Sequence, residues 1–206
     1  MLQALWQGFL LGFGLAFLIG PVFFLILFTS LNRGFKPAAY IATGVMISDA
    51  VCIIIAQLAN KFINQNVTAK FIFGLAGGII LVAWGAFAIF KKVEMPQRDL
   101  QPARYNSKTI AGYVLRGFAA NTFNPFALIF WIGVVSAISL QGYDKKENYL
   151  FFATSLATVL ATDIAKSYLA NYLNKFISTK ALSVFNKISG VALILFGLQI
   201  LWKLMN

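Results

Sequence analysis

Two carboxylates lie where a chain this apolar should hold none. Asp49 sits at the middle of residues 38–60, with eleven residues on each side, and Asp163 sits fourteen residues into the stretch 149–172. An Asp at the centre of a membrane helix costs about 2.5–3.5 kcal/mol on insertion scales, so such a residue is by default a functional candidate. Lys166 follows Asp163 by three residues and shares its helix face, which makes the two an ion pair or a switchable gate. Asp49 has no basic residue in its own stretch. A carboxyl that is neutral in a dry site and ionised in a wet one is suited to carrying a proton, and the ionised form is suited to holding an ammonium.

A second group of residues acts through the backbone. Gly20-Pro21 interrupts the uncharged stretch 2–31, and Asn124-Pro125 interrupts 117–140. Proline removes a backbone donor and pushes the residue before it away from helical geometry, so a kink or a break is expected at each. Non-helical backbone at membrane depth is tolerated only where it is buried in protein or lines a cavity. The N-terminal end of a half-helix favours a carboxylate, and unwound carbonyls favour an ammonium or a cation; a zwitterion needs both. Asn121 and Asn124 place two amides beside the second break, for the freed backbone groups or for a substrate. Ser30, Thr43, Ser48, Ser155 and Thr162 are expected to bond locally to helix carbonyls.

These residues need elements to hold them, and the composition limits the choice. The chain has 206 residues, of which 60% are apolar and 11% charged, and its mean hydropathy is +0.79. A water-soluble domain carries about 25% charged residues. The chain therefore reads as one integral membrane domain. A crossing helix needs about 20 apolar residues, and six stretches answer: 2–31, 38–60, 71–90, 117–140, 149–172, and 188–202 with a start near Ser183. The first is too long, and too poor in basic residues at its start, for a signal peptide. Phe supplies 21 residues, which suits packing and a lipid-facing surface, and Trp6 and Trp202 fall near span ends, where an interface favours them.

Several function classes drop out on counts. There is no His and one Cys, Cys52, which removes disulfides, dithiol redox chemistry, His/Cys zinc sites and histidine triads. The basic central loop has no phosphate-cradling glycine motif. No catalytic residue, metal or cofactor is assigned, and the chain is not expected to be an enzyme. The net charge of +11 points to cytoplasmic loops beside anionic lipid rather than to nucleic acid. Arg33 and Lys36 lie in loop one, Lys91, Lys92, Arg98, Arg104, Lys108 and Arg116 in loop three, and Lys175, Lys180 and Lys187 in loop five. Lys61, Lys70, Lys145, Lys146 and Lys203 lie on the other side. The excess puts loops one, three and five in the cytoplasm and both termini outside.

The two halves of the chain also match. Residues 78–91, GIILVAWGAFAIFK, align with 190–203, GVALILFGLQILWK, so that Gly78 and Gly85 lie over Gly190 and Gly197 at an offset of 112. GVMISDA (44–50) lies over TVLATDI (158–164), which superposes Asp49 on Asp163 at an offset of 114. The two proline breaks lie 104 residues apart. Three spans per half is an odd number, so the second half enters the membrane in the opposite sense. The expected fold is all-α: a polytopic membrane protein whose six transmembrane helices form a 3+3 inverted repeat with broken first and fourth helices. Repeat one is 1–91, the basic cytoplasmic loop 91–116, and repeat two 117–206.

The stretch from Gly14 to Asp49, with Gly20-Pro21, Ser30-Leu31, Arg33-Gly34, Gly44 and Asp49, resembles the N-terminal signature of the LysE/RhtB family of bacterial amino-acid exporters. Gly117 through Asn121 to Asn124-Pro125 resembles the second signature of that family. The resemblance implies a transporter of the bacterial inner membrane that exports amino acids or related small metabolites by proton antiport. It points to Gly20, Pro21, Asp49, Asn121, Asn124 and Pro125 as substrate-binding or coupling residues, to which their place in a span adds Asp163 and Lys166. Family members often carry Pro-Gly-Pro where this chain has Ile19-Gly20-Pro21, and a small or basic residue where it has Phe126. Which amino acid is carried, whether sodium replaces the proton and whether the chain forms a homodimer stay open. The rival readings are a non-transporting assembly or scaffold protein, a membrane enzyme acting on a lipid or a thiol, and an exporter of another solute or cation. Cadmium is disfavoured, because soft metals want thiolate or imidazole.

Overall fold

A computed structural model describes residues 1–16, 20–64, 67–90, 107–139, 141–173 and 179–205. Over these residues the chain is helical: α1 (Leu2–Leu15), α2 (Pro21–Arg33), α3 (Phe35–Asn64), α4 (Val67–Phe90), α5 (Ser107–Thr122), α6 (Pro125–Ser139), α7 (Lys145–Tyr168), the short α8 (Ala170–Leu173) and α9 (Thr179–Met205). Local sequence sets several of the ends. Gly34 stops α2 at φ 90°, a conformation that only glycine adopts without strain. Asp144 and Glu147 open α7 with a reciprocal capping box, the Glu147 amide donating to Asp144 Oδ1 at 2.7 Å.

Both proline sites separate helices. Gly20 is extended and caps α2, with Pro21 in its first turn, where a missing N–H costs nothing. Residues 17–19, including Ile19, lie outside the described residues. At the second site the helices Thr109–Thr122 and Phe126–Ser139 meet at 68°. The stretch expected over 117–140 begins ten residues earlier, at Ser107, so residues 107–116 are helix rather than loop. The break therefore falls between helices of 16 and 15 residues. The first site likewise separates helices of 14 and 13 residues. At about 1.5 Å per residue, none of the four alone covers a hydrocarbon core of about 30 Å. Two helices are long and apolar enough to cross on their own, Phe35–Asn60 within α3 and Lys145–Tyr168, and the bent pair makes a third crossing if counted as one. Leu2–Leu15, Pro21–Arg33, Leu75–Phe90 and Leu193–Trp202 are apolar but shorter.

Helix α3 is the hub, in contact with α2, α4, α5, α6 and α7. Two apolar clusters flank it. Ala4, Cys52, Ile53, Trp131, Val135 and Phe152 join α1, α3, α6 and α7; Ile26, Ala38, Ile41, Val45 and Tyr113 join α2, α3 and α5. Glycines set the spacing of the three tightest helix pairs. A Cβ at Gly8 or Gly12 of α1 would strike the Phe151 or Ser155 carbonyl of α7. A Cβ at Gly44 of α3 or Gly117 of α5 would strike Val114 or Ile41 on the facing helix. Between α4 and α9, Gly78 meets Gly197 and Gly85 meets Gly190, so the two helices cross antiparallel at four glycines. Without water to drive helices together, close backbone approach of this kind supplies the attraction in a membrane. The outer surface carries Leu2, Trp6, Ile54, Leu58, Phe87, Phe90, Leu195 and Trp202, all more than half exposed. Exposed large apolar residues in this number suit a surface that faces lipid.

Candidate functional site

The first turns of α2 and α6 open onto one cavity of about 350 Å³. Gly20, Val22 and Phe23 line it from the first break, and Asn124, Phe126 and Ala127 from the second. Helices α3 and α7 supply its charged groups. Asp49, Asp163 and Lys166 all reach its wall, together with Asn121 from the end of α5. Six of the eight expected residues thus converge from three helices and two breaks that lie up to 146 positions apart in the chain. Pro21 is exposed and not part of the wall; its effect is confined to the backbone at the start of α2. Pro125 begins α6 in the same way, and its side chain lies outside the described residues.

Asp49 is buried, with 7% of its surface exposed. Its Oδ1 accepts two hydrogen bonds, from Asn121 Nδ2 at 2.7 Å and from the Trp131 indole N–H at 2.9 Å. Both donors aim at the same oxygen, and among the described residues Oδ2 accepts none. Donors of this kind favour the ionised form of a carboxylate that burial would otherwise penalise. No cation faces Asp49 at ion-pair distance among the described residues. The amides divide their work. Asn121 serves Asp49, whereas Asn124 Oδ1 accepts from the Phe126 amide at 3.2 Å and so caps α6. Asn124 thus serves backbone at the break, one of the two uses expected of the amides, and Asn121 Nδ2 is engaged by Asp49.

Asp163 and Lys166 form the expected pair, Nζ to Oδ1 at 2.8 Å, with side chains 8% and 14% exposed. The ammonium also stands over the Phe23 ring of α2, 5.8 Å from its centroid. Ser30 and Ser167 tie the same two helices: Ser30 Oγ donates to the Ser167 carbonyl at 2.6 Å, and Ser167 Oγ donates to the Asp163 carbonyl at 2.9 Å. Ser30 therefore bonds across helices and not locally. Ser48 does so too, with its hydroxyl 2.8 Å from that of Thr122 on α5. Thr43, Ser155 and Thr162 bond back within their own helices, to Ala39, Phe151 and Val159.

Trp131 is the residue that sequence reasoning missed. It is 1% exposed and touches both the cavity and Asp49. Its position ten residues after Asn121 was visible, but a tryptophan inside an apolar stretch looks like any packing residue. Its need for a partner for a buried N–H was the one available signal.

The model of the LysE type translocator family matches residues 13–204. A Bacillus subtilis (strain 168) protein, YcgF, whose name describes it as a candidate amino acid efflux protein, is 24% identical over 195 residues, covering 91% of this chain and 90% of its own. No solved structure gives a significant match. The family match takes in both proline breaks, both buried acids and the four helix-crossing glycines of α4 and α9. The chain belongs to the LysE type translocator family.

Proposed function

We propose that the protein is a secondary active exporter of amino acids or similar small zwitterions, and that it exchanges them for protons across the bacterial inner membrane. The observation that carries the reading is the shared cavity. One buried carboxylate whose second oxygen accepts no bond among the described residues, one ion pair and two helix N-termini meet there. A zwitterion finds a partner for each end: Asp49 Oδ2 for its ammonium, and Lys166 with the first-turn amides of α2 for its carboxylate. A proton and an ammonium compete for the same Asp49 oxygen. In the cycle we infer, ionised Asp49 takes the substrate from the cytoplasm, the cavity opens outward, and a proton arriving on Asp49 displaces the ammonium. Return with the proton completes an exchange.

The same reading takes the six-span, 3+3 inverted repeat as the architecture. Repeat one spans 1–91 and repeat two begins with α5, with the basic segment before α5 cytoplasmic and both termini outside. The glycine contacts support it. Adding the 112-residue offset to Gly78 and removing it from Gly197 turns the contact Gly78–Gly197 into Gly190–Gly85, which is the other contact made. The packing of α1 on α7 and of α5 on α3 follows the same exchange of halves. Each broken span would then be a re-entrant or bent crossing that delivers a helix N-terminus to the middle of the membrane. Uptake of labelled amino acids into everted inner-membrane vesicles tests the function. A transmembrane pH gradient is expected to drive accumulation of at least one amino acid. Accumulation driven only by sodium, or none for any of the twenty, contradicts the reading.

A further inference from the structure

We infer that the cavity selects amino acids with a bulky, uncharged apolar side chain, aliphatic or aromatic, over basic and small polar ones. The inference rests on the amino-acid exporter reading above and assigns its substrate class. Its basis is what remains of the wall once the polar groups are accounted for. Asp49 Oδ1 is occupied by Asn121 and Trp131, which leaves one acceptor, Oδ2, for the α-ammonium. Asp163 Oδ1 is held by Lys166, and Asn124 Oδ1 by the α6 backbone. Among the described residues of the wall, Asp49 is the one carboxylate without a cation partner, since Lys166 balances Asp163, and Lys166 is the one cation.

The rest of the wall is hydrocarbon. Phe23, Phe126 and Phe130 contribute three aromatic surfaces, with Val159, Leu193 and the buried Trp131 beside them. The indole N–H, the polar edge of Trp131, is already donated to Asp49. A cationic side chain can use an aromatic face, but the Phe23 ring already carries the Lys166 ammonium. The volume, about 350 Å³, lies at the small end of ligand pockets, which run from about 300 to 1,000 Å³. It admits one amino acid with a large side chain. A lysine head group would stand unpaired against aromatic carbon, and a serine would leave the apolar wall without contacts. Burying a Leu or Phe side chain there is expected to favour it over Ser by about tenfold to a hundredfold in apparent affinity.

Counterflow with the purified full-length chain in proteoliposomes tests this. The vesicles are loaded with all twenty amino acids, and each labelled amino acid is offered outside in turn. Leucine, methionine and phenylalanine are expected to exchange and to compete with one another, with lysine and serine at least about tenfold weaker. Exchange that favours lysine or serine overturns the substrate class and leaves the exporter reading standing. Absence of exchange for every amino acid removes that reading and this inference with it. Phe130→Ala supplies a second readout in protein that still elutes as wild type. It is expected to weaken leucine and phenylalanine competition about tenfold and alanine competition less than about twofold. An equal loss for all substrates would assign Phe130 to packing alone and overturn its part in selection.

Discussion

A carboxylate with one oxygen tied and the other open is a directional group, and Asp49 owes that state to two neighbours of different kinds. Asn121 and Trp131 both donate to Oδ1. Hydrogen bonds to a charged acceptor contribute roughly 1.5–3 kcal/mol each. Trp131→Phe keeps the ring and removes the donor. It is expected to slow exchange about tenfold while the thermal midpoint of the detergent-purified protein moves little, which separates the donor from the packing. Trp131→Ala removes both and is expected to destabilise the fold by about 3–5 kcal/mol, as for other buried aromatics. The Asp163–Lys166 pair allows a different test. Lys166→Met strands a buried carboxylate, a loss of about 3–5 kcal/mol for pairs of this kind. Adding Asp163→Asn is expected to restore most of the thermal stability without restoring transport. A double variant that still transports would reduce the pair to an anchor. The acids and Lys166 were legible in the sequence because charge inside an apolar stretch stands out. The donors to Asp49 were less so, since Trp131 differs from lipid-facing residues only in what it meets after folding.

At the scale of elements, backbone geometry delivers the site. Pro21 and Pro125 each begin a helix, and the first turns of both helices line the cavity. The residues beside the breaks were legible, because proline acts on its own neighbourhood. The true start of α5 was not. Lys108 and Arg116 made residues 107–116 read as loop, yet the helix runs through them and packs on α3. That contact depends on Gly44 and Gly117, and a matched pair of variants isolates the effect. A Cβ at Gly44 would strike the Val114 carbonyl, whereas a Cβ at Gly14 meets nothing within 4 Å. Gly44→Ala is expected to destabilise by about 1–3 kcal/mol, the usual range for overpacking. Gly14→Ala is expected to be neutral or slightly stabilising, because alanine is the better helix former by about 1 kcal/mol. Thermal midpoints of the two purified variants check this, and a tolerant Gly44 would mean that α3 and α5 do not approach as described.

At the scale of the whole molecule, symmetry and charge come into play. The glycine pairs of α4 and α9 exchange under the offset that aligns the two halves, as the proposed repeat requires. The proposed inverted repeat rests on three motifs in the same order, which were readable, but the crossing of α4 and α9 was not, because glycine spacing gives a face and no partner. The proposed orientation makes a separate prediction. In a Cys52→Ala background, a cysteine at Lys108 is expected to react with a membrane-impermeant maleimide only in everted vesicles, and one added after Asn206 only in right-side-out cells. The reverse pattern would invert the topology.

The most direct measurement follows protons and substrate together in proteoliposomes that enclose a pH-sensitive dye. Addition of a transported amino acid to vesicles holding the wild-type chain is expected to move protons in the opposite direction, in proportion to the amino acid exchanged. Asp49→Asn, in protein with an unchanged elution profile, is expected to reduce that coupled flux at least about a hundredfold, in line with roughly 3 kcal/mol for one lost charge interaction. Proton-coupled flux that persists in Asp49→Asn at wild-type rate would contradict the role given to this carboxylate and to the cavity built around it.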